Sequence, residues 1–325
     1  MQAFTLAQPA TIDAALTAVA SPGAKYIAGG TDLMQLMKND VETPAQLIDL
    51  EPLPLSRIQA DGNGLRLEAM ARMSDVADHP AVRAGWPVIR ESLLASASPQ
   101  VRNMGTMGGN LLQRTRCGYF RDTGFPCNKR VPGSGCPAIP GENRLLAILG
   151  GSQHCIATHP SDLAVAFAAL DASVELRDPN KQTRWLRLRD LHRLPGDTPQ
   201  DETNLGTGEL IVAIVVPATP AARRSTYLKV RDRASFEFAL VSAAVAIEVR
   251  DGTIVDAGIA AGGVGTKPWP LPEVESALRG GPLTDKTLHD AAMQAGQGAH
   301  PASQNGFKLT LLRNTVFRAL QIVAA

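Results

Sequence analysis

All four cysteines of this chain lie in one stretch that is rich in glycine and proline. Cys117, Cys127 and Cys136 divide the segment CGYFRDTGFPCNKRVPGSGC, and Cys155 follows in QHCIATHP. The gaps between them hold 9, 8 and 18 residues. The region from residue 113 to 158 has neither helical nor strand periodicity. Whatever the thiols bind therefore decides how this part of the chain folds.

Three interpretations of the thiols are open. Two disulfides, or four unrelated thiols, form the first, although disulfides are typical of small exported domains. A structural zinc site usually takes close C-x₂₋₄-C pairs, which are absent here. A [4Fe–4S] cluster takes one thiolate per iron, so each ligand can come from its own loop, although the gaps match no ferredoxin motif. Nearby glycines and prolines would let backbone N–H groups approach anionic sulfur, which favours the cluster.

Length and composition describe an ordinary globular protein. The chain has 325 residues, 44% hydrophobic and 19% charged, which suffices for two or three cores. Its net charge is +1 without a basic patch, so we expect no nucleic-acid partner. The N-terminus lacks the pattern of a signal peptide, and the apolar stretch FALVSAAVAI is too short to span a bilayer. We therefore expect no signal peptide and no membrane insertion.

The N-terminal part, residues 1–55, alternates helix and strand and predicts an α/β subdomain. TIDAALTAVA predicts a helix with Thr11 as its N-cap, and TDLMQLM predicts a second helix. KYIAGG and AQLIDL predict short strands between and after them. Further on, LRLEAM predicts a strand, followed by a helix capped by Ser74 and a helical run over 86–95.

The remainder predicts strands followed by helices on both sides of a domain boundary. SDLAVAFAAL predicts a helix that begins at Ser161 and Asp162, and SVELRD, RWLRL and ELIVAIVVP predict strands. PATPAARR, from Pro217, predicts the boundary between domains at 1–218 and 222–325. In the second domain, STYLKVR, VSAAVAIEVR and TIVDAGIAAGG predict strands, and helices are predicted over 272–279, 286–297 and 305–324.

Two glycine-rich loops are candidate phosphate sites. IAGGTDL runs from a strand into a helix, and glycines there let the backbone approach a pyrophosphate. VRNMGTMGGNLL could hold a phosphate or a flavin edge through the Thr106 hydroxyl. Plain glycine turns remain the alternative for each loop. Neither loop is a G-x-G-x-x-G motif, so a Rossmann nicotinamide site is not indicated.

Five ordered motifs carry a family resemblance that covers nearly the whole chain. IAGGTDL, NMGTMGGN, THPSDLAVAFAALDA, GELIVAIVVP and YLKVRDRASFEFALVSAAVAI resemble the flavin subunit of the xanthine dehydrogenase family. The cysteine stretch looks closer to the FAD and iron–sulfur subunits of bacterial periplasmic aldehyde oxidoreductases of the molybdenum hydroxylase type. That branch carries a [4Fe–4S] cluster at this place, whereas most family flavin domains lack the insertion.

The resemblance implies an α+β fold. A two-part FAD-binding domain of the xanthine dehydrogenase and CO dehydrogenase flavoprotein type carries an iron–sulfur loop insertion at 113–158. A small C-terminal α+β domain of the CO dehydrogenase flavoprotein type follows at 222–325.

The resemblance also implies the site residues. The cluster ligands are Cys117, Cys127, Cys136 and Cys155. The FAD-binding positions are Tyr26, Ile27, Ala28, Gly29, Gly30, Thr31, Asp32, Leu33, Thr106, Gly109, Asn110, Ser161, Asp162, Leu210, Ile211 and Lys229.

Several of these assignments have a plain structural alternative. Asp162 would hold a cofactor hydroxyl, or it would only place charge at a helix N-terminus. Lys229 would lie at the flavin, or it would be a solvated strand lysine. Leu210 and Ile211 could be strand core alone. With four thiolates available, we expect His154 and His159 not to bind metal.

The implied role is electron transfer without independent substrate chemistry. No G-x-S-x-G or H-E-x-x-H motif is present, so the cofactors FAD and [4Fe–4S] would carry the chemistry. The resemblance implies a large molybdenum-cofactor subunit that oxidises an aldehyde and a small [2Fe–2S] subunit that relays electrons. FAD in this chain would collect the electrons and pass them to an external acceptor.

Two rival functions and the location stay open. The chain could be a stand-alone flavin oxidoreductase, which requires an acid or base beside the flavin. It could also be a zinc-stabilised scaffold without redox activity. The resembling branch is periplasmic and is exported folded with a signal-bearing partner, so we expect a periplasmic location, with the cytoplasm as the alternative.

Overall fold

Three β-sheets organise the chain into three packed units. The computed structural model describes all 325 residues, from Met1 to Ala325. None of the helices has both the length and the apolar character needed to cross a membrane.

The first unit is a parallel sheet with two short helices. Its elements are β1 (Thr5–Ala7), α1 (Ile12–Ala18), β2 (Ala24–Ile27), α2 (Leu33–Lys38) and β3 (Gln46–Asp49). The strand order is β1-β3-β2. Thr11 caps α1, as predicted, by accepting a hydrogen bond from the Ala14 N–H at 3.2 Å. Because β2 ends at Ile27, the Gly29-Gly30 pair lies at the carboxyl edge of this sheet.

The second unit is a five-stranded antiparallel sheet, with strand order β4-β5-β8-β6-β7, surrounded by short helices. Its elements in chain order are β4 (Ile58–Ala60), β5 (Gly64–Glu68), α3 (Met73–Asp78), α4 (Pro80–Gly85), α5 (Pro87–Ala95), α6 (Pro99–Met104), α7 (Met107–Leu111), α8 (Gly118–Arg121), α9 (Asp162–Ala169), β6 (Ser173–Arg177), β7 (Thr183–Arg187), α10 (Leu188–Leu191) and β8 (Leu210–Pro217).

The predicted cap at Ser74 is wrong, because α3 begins directly after Arg72. Ser74 therefore lies inside the first turn, and its hydroxyl bonds to the Asp75 carboxylate at 3.3 Å. The stretch VRNMGTMGGNLL also differs from the predicted loop. It forms α6 and α7, which are separated only by Gly105 and Thr106.

The third unit is an antiparallel sheet, with strand order β12-β11-β10-β9, covered by the last helices. Its elements are α11 (Pro220–Arg223), β9 (Ser225–Val230), β10 (Val241–Arg250), β11 (Thr253–Gly262), β12 (Trp269–Pro270), α12 (Pro272–Leu278), α13 (Asp285–Ala292) and α14 (Phe307–Ala324). The three predicted strands and the helices after them are present. The last helix begins at Phe307 rather than Asn305.

Helix α9 joins the second and third units. All eight of its residues are buried, and Ser161 caps it by accepting from the Ala164 N–H at 3.0 Å. Its apolar side chains share one core with β6 and β8 on one side and with β10 and β11 on the other. The two sheets are therefore held at a fixed distance by one fully buried helix.

The segment 113–158 has only the short helix α8 and is held by the third unit. Lys308 of α14 is fully buried and donates hydrogen bonds to the carbonyl groups of Leu145, Leu146 and Gly263 at 2.7–3.0 Å. Burial lowers the pKa of Lys308 to about 7. The Asn305 side chain donates to the Leu146 carbonyl as well and to two more carbonyl groups of the segment, those of Asn143 at 3.2 Å and Ala147 at 3.3 Å.

Two histidines form a buried pair behind the second unit. The rings of His159 and His192 lie edge to face with centroids 4.2 Å apart, and His192 Nε2 donates to the Leu111 carbonyl at 2.8 Å. Burial lowers the pKa of His192 to about 4, and it lowers the pKa of His159 well below its ordinary value. Both rings are therefore neutral in the folded chain near pH 7.

The close approach of two loops generates a stability prediction. A Cβ added at Gly29 would lie 1.8 Å from the Met104 carbonyl oxygen, a backbone atom that cannot move aside. We expect Gly29→Ala to lower the free energy of unfolding by at least about 2 kcal/mol in denaturant titrations. Gly62→Ala is the matched control, since its Cβ meets no atom within 4 Å. Equal losses in both variants would contradict the prediction.

The histidine pair generates a pH prediction. Between pH 6.5 and about 4 the unfolded chain protonates His192 while the folded chain does not, so stability falls as the pH is lowered through this window. The loss from this residue is at most about 3 kcal/mol. We expect His192→Gln, whose amide can still donate to Leu111, to reduce the slope of unfolding free energy against pH in this window. The reduction should be at most the amount that corresponds to the uptake of one proton on unfolding. An unchanged slope would contradict the burial of a neutral ring.

Candidate functional site

A cleft of about 830 Å³ lies where the three units meet. This volume is within the range of small-molecule sites, roughly 300–1,000 Å³. The cleft brings together every predicted FAD-binding residue except Ser161. These lining residues are Tyr26, Ile27, Ala28, Gly29, Gly30, Thr31, Asp32, Leu33, Thr106, Gly109, Asn110, Asp162, Leu210, Ile211 and Lys229.

The two glycine loops form one wall of the cleft almost without side chains. Gly29 packs on the backbone of α6, and a Cβ at Gly109 would lie 3.8 Å from the Ala28 methyl group. Gly30 has φ +69°, a conformation that favours glycine. Thr106 caps α7, its hydroxyl accepting from the Gly109 N–H at 3.2 Å. A ligand can therefore reach the backbone of both loops at the same place.

A buried ion pair lies at the opposite wall. Lys229 Nζ donates to Asp162 Oδ2 at 2.8 Å, and the two side chains are only 3% and 6% exposed. The alternative of a solvated strand lysine is therefore wrong. Ser96 Oγ donates to the same carboxylate oxygen at 2.9 Å, and Tyr227 OH donates to Oδ1 at 2.5 Å. Burial and the Asp162 charge raise the pKa of Tyr227 well above its ordinary value, so its hydroxyl stays protonated.

The remaining predicted residues have local roles as well. Ser161 lies behind the cleft, where its hydroxyl donates to Asn110 Oδ1 at 2.6 Å and orients that side chain. Tyr26 donates its hydroxyl to the Gly208 carbonyl at 2.9 Å. Leu210 and Ile211 on β8 are buried in two different cores and also line the cleft. Both residues therefore belong to the strand core, and their contact with FAD stays a prediction.

Sequence reasoning missed the basic and aromatic rim of the cleft. Arg114 and Arg116 line it from the start of the cysteine segment, and Phe236 and Phe238 line it from the loop after β9. The Arg116 guanidinium lies 4.8 Å from the centre of the Phe238 ring. Two phenylalanines within the charged stretch RDRASFEF were the available signal, because exposed aromatic residues among charges often mark a binding surface.

All four thiols line a second, smaller pocket. They are free, with Cys117, Cys127 and Cys155 buried and Cys136 partly buried. Apolar and aromatic side chains surround them, among them Tyr119, Phe120, Pro126, Pro137, Ala138 and Ala157. Cys117 lines both this pocket and the cleft, so the two share a wall.

Backbone N–H groups point at the sulfur atoms. Cys117 receives those of Tyr119 and Phe120, and the Ala157 N–H donates to Cys155 Sγ at 3.5 Å. Burial raises the pKa of the Cys117 thiol to about 11 and also raises the pKa values of Cys136 and Cys155. The thiols of Cys117, Cys136 and Cys155 are therefore protonated, and a cationic ligand would convert them to the thiolates that these N–H groups stabilise.

The geometry of the pocket bears on the kind of metal site. No group of three or more His, Cys, Asp or Glu side chains converges to hold a single metal ion. A [4Fe–4S] cluster differs, since each thiolate binds its own iron. The four sulfur atoms surround the cluster and need not meet at a single ion. His154 lines the thiol pocket, with its Nε2 3.4 Å from Asp197 Oδ1, whereas His159 packs on His192, so the expectation that neither binds metal stays a prediction.

Comparison with known proteins identifies the two halves of the chain. A family model described as the FAD binding domain in molybdopterin dehydrogenase matches residues 2–219. A second, described as the CO dehydrogenase flavoprotein C-terminal domain, matches residues 226–323.

Individual relatives cover the whole length. The chain is 48% identical over 322 residues to the aldehyde oxidoreductase FAD-binding subunit PaoB of Escherichia coli strain K12, and the match covers 98% of each chain. It is 27% identical over 280 residues to the glyceraldehyde dehydrogenase medium chain of Sulfolobus acidocaldarius, covering 86% of this chain and 82% of that one.

Solved structures share the fold. A reconstituted CO dehydrogenase from Oligotropha carboxidovorans superposes with a TM-score of 0.78 at 24% identity, covering 99% of this chain and 98% of the other. Quinoline 2-oxidoreductase from Pseudomonas putida 86 gives 0.77 at 22% identity, covering 99% and 97%. The predicted α+β flavoprotein fold is confirmed. Because family models match both halves and a full-length relative is nearly half identical, the chain belongs to the FAD-binding subunits of the molybdopterin dehydrogenase family.

Proposed function

We propose that this chain is the FAD- and [4Fe–4S]-containing electron-transfer subunit of a molybdenum-dependent aldehyde oxidoreductase. One observation carries the proposal: a cleft of dinucleotide size shares the Cys117 wall with a pocket lined by all four thiols. The substrate class comes from the relative that is 48% identical over the full chain, which is an aldehyde oxidoreductase subunit.

The cleft fits FAD through its wall of glycine loops and its paired charges. The backbone of the Gly29-Gly30 loop is open to a diphosphate group, which binds well to backbone N–H donors, whereas the N–H groups of Gly108 and Gly109 already donate to Ala69 and Thr106. The apolar side chains of Leu210 and Ile211 suit an aromatic ring. Lys229 neutralises the Asp162 carboxylate at this wall of the cleft. Asp162 can therefore still accept a hydrogen bond from a hydroxyl group of the cofactor.

The thiol pocket fits a [4Fe–4S] cluster through its ligand number and surroundings. Four sulfur atoms line one pocket, and N–H groups point at Cys117, Cys136 and Cys155. Hydrogen bonds to sulfur and an apolar surrounding are the levers that tune such clusters. The other occupants are less suited, because disulfides would leave the N–H groups unused and a single zinc ion needs converging ligands.

Bound FAD supplies the exchange between single electrons and electron pairs. The residues of this chain hold it and exclude water, and none is placed as an acid or base. Lys229 and Asp162 neutralise each other, while the hydroxyl groups of Tyr227 and Ser96 donate hydrogen bonds to that carboxylate. Arg114 is paired with Glu42 and Glu202. A stand-alone flavin oxidoreductase would need a free titratable group beside the flavin, and these charges are already paired.

The partners and the location extend the same proposal. Relatives are named as medium chains or medium subunits, which suggests one larger and one smaller companion. We infer a large molybdenum-cofactor subunit and a small [2Fe–2S] subunit as electron donor, with an external acceptor. The location would be the periplasm, reached in the folded state with a signal-bearing partner.

Purification of the native complex from its host tests the proposal. The expected result is a yellow-brown complex of three subunits that contains FAD, molybdenum and more iron than two [2Fe–2S] clusters account for. It should oxidise aldehydes with an added electron acceptor. Zinc in place of the additional iron would favour the scaffold, and an active single chain would favour the stand-alone enzyme.

Cys127→Ser separates the two cofactors. Cys127 lines the thiol pocket but not the cleft, so the variant should lose the iron and broad visible absorption of the [4Fe–4S] cluster and keep at least part of its FAD. Iron analysis and the flavin spectrum of the purified chain measure this. Val131→Ala is the matched control, because Val131 is 58% exposed in the same segment. Full iron content in Cys127→Ser would refute the ligand assignment.

A further inference from the structure

We infer that Asp32 is a positioning residue that couples the FAD cleft to residues 113–158, the thiol segment. FAD binding and closure of this segment around Cys117 would then reinforce each other. Asp32 follows the Gly29-Gly30-Thr31 loop and lines the cleft. Its carboxylate is nevertheless directed to residues on both sides of Cys117.

Three donors from the thiol segment meet at this one carboxylate. The Arg114 backbone N–H donates to Asp32 Oδ2 at 2.8 Å. Arg121 Nη2 donates to Oδ1 at 2.6 Å, and Arg116 Nη2 lies 3.0 Å from the same atom. The Asp32 side chain is only 14% exposed. Charge-assisted hydrogen bonds of this kind are about twice as strong as neutral ones.

The same donors close the turn that presents the first cysteine. Arg121 also donates to the carbonyl groups of Thr115 at 2.8 Å and Arg114 at 3.2 Å. Arg116 directly precedes Cys117 and lines the cleft, whereas Arg121 does not line it. The conformation at Cys117 is therefore fixed from the first unit through Asp32, together with a small hydrophobic cluster in which Cys117 and Phe120 pack with Leu36 of α2.

A second set of ion pairs supports this connection. Arg114 forms ion pairs with Glu42, which follows α2, and with Glu202. The Arg114 Nε atom lies 2.6 Å from Glu202 Oε2. Lys129, in the middle of the segment, contacts Glu202 at 2.8 Å. The thiol segment is thus joined at two points to the part of the chain that carries the glycine loop.

Separation of the loop of residues 29–32 from the thiol segment costs free energy. Asp32 faces the guanidinium groups of Arg116 and Arg121, whose side chains are only 24% and 15% exposed. Asp32 would lose its cationic partners, and the two guanidinium groups would lose their carboxylate. Removal of the carboxylate leaves two partly buried cations together, which is strongly unfavourable. The loop and the segment therefore open together, and a ligand that holds the loop also holds the segment. By linkage the effect is reciprocal.

The inference rests on the FAD side of the proposed function and does not require the cluster. It is tested on the full chain freed of FAD and metal under anaerobic conditions. Iodoacetamide alkylation of Cys117 is followed by peptide mass spectrometry, with and without saturating FAD. In the wild-type chain FAD should slow alkylation at least about fivefold, the lower end of typical coupling between sites.

Two variants on opposite sides of the contact isolate the coupling. In Asp32→Asn and in Arg121→Gln, saturating FAD should protect Cys117 less than about twofold. Because Arg121 does not line the cleft, weaker FAD binding in Arg121→Gln, measured by flavin fluorescence, would report coupling and not a lost contact. Asp256→Asn, which breaks the pair with Arg279 on the third unit, should keep the wild-type protection.

The outcomes separate this inference from the proposed function. Normal FAD binding without protection of Cys117 in the wild type would overturn the coupling alone. Full protection in both variants would do the same, because Asp32 would then have no positioning role. A wild-type chain that binds no FAD would overturn the proposed function and the coupling with it.

Discussion

The thiol segment has almost no regular structure, and this constraint shapes the rest of the molecule. Forty-six residues, 113–158, contain one short helix, so the backbone must be held by side chains from elsewhere. Asp32 holds its beginning from the first unit, while Lys308 of the last helix and Asn305 just before that helix hold residues 143–147. These buried polar groups act together with a small hydrophobic cluster that contains Cys117, Cys127 and Cys155. Such polar groups fix one conformation because each must keep its partner.

The wall of the cleft that carries Lys229 and Asp162 is stabilised by a buried ion pair. Lys229 and Asp162 are both buried, and their attraction offsets the loss of hydration only because Tyr227 and Ser96 satisfy the carboxylate further. The result is a wall with fixed dipoles and no free charge. Such a surrounding suits a bound flavin, since a cofactor carries the chemistry itself and the protein positions it.

Much of the fold and of the cleft was predictable from the sequence, and the failures have physical causes. Strand and helix periodicity located all three sheets, and the glycine loops with the family motifs located the cleft. The predicted cap at Ser74 was wrong because α3 begins at Met73, directly after Arg72. Lys229 could not be distinguished from a solvated lysine, since its partner Asp162 is 67 residues away. The role of Asp32 was equally hidden, because its partners come from a segment without periodicity.

The anchoring of the thiol segment by α14 has a consequence for biosynthesis. Lys308 and Asn305 emerge from the ribosome after roughly 150 further residues have followed the last cysteine. Until then the carbonyl groups of Leu145 and Leu146 lack their donors from Asn305 and Lys308. If the thiols take a cluster as proposed, its insertion into the finally folded segment would follow the synthesis of residues 305–308 and so act on a nearly finished polypeptide rather than on a short nascent one.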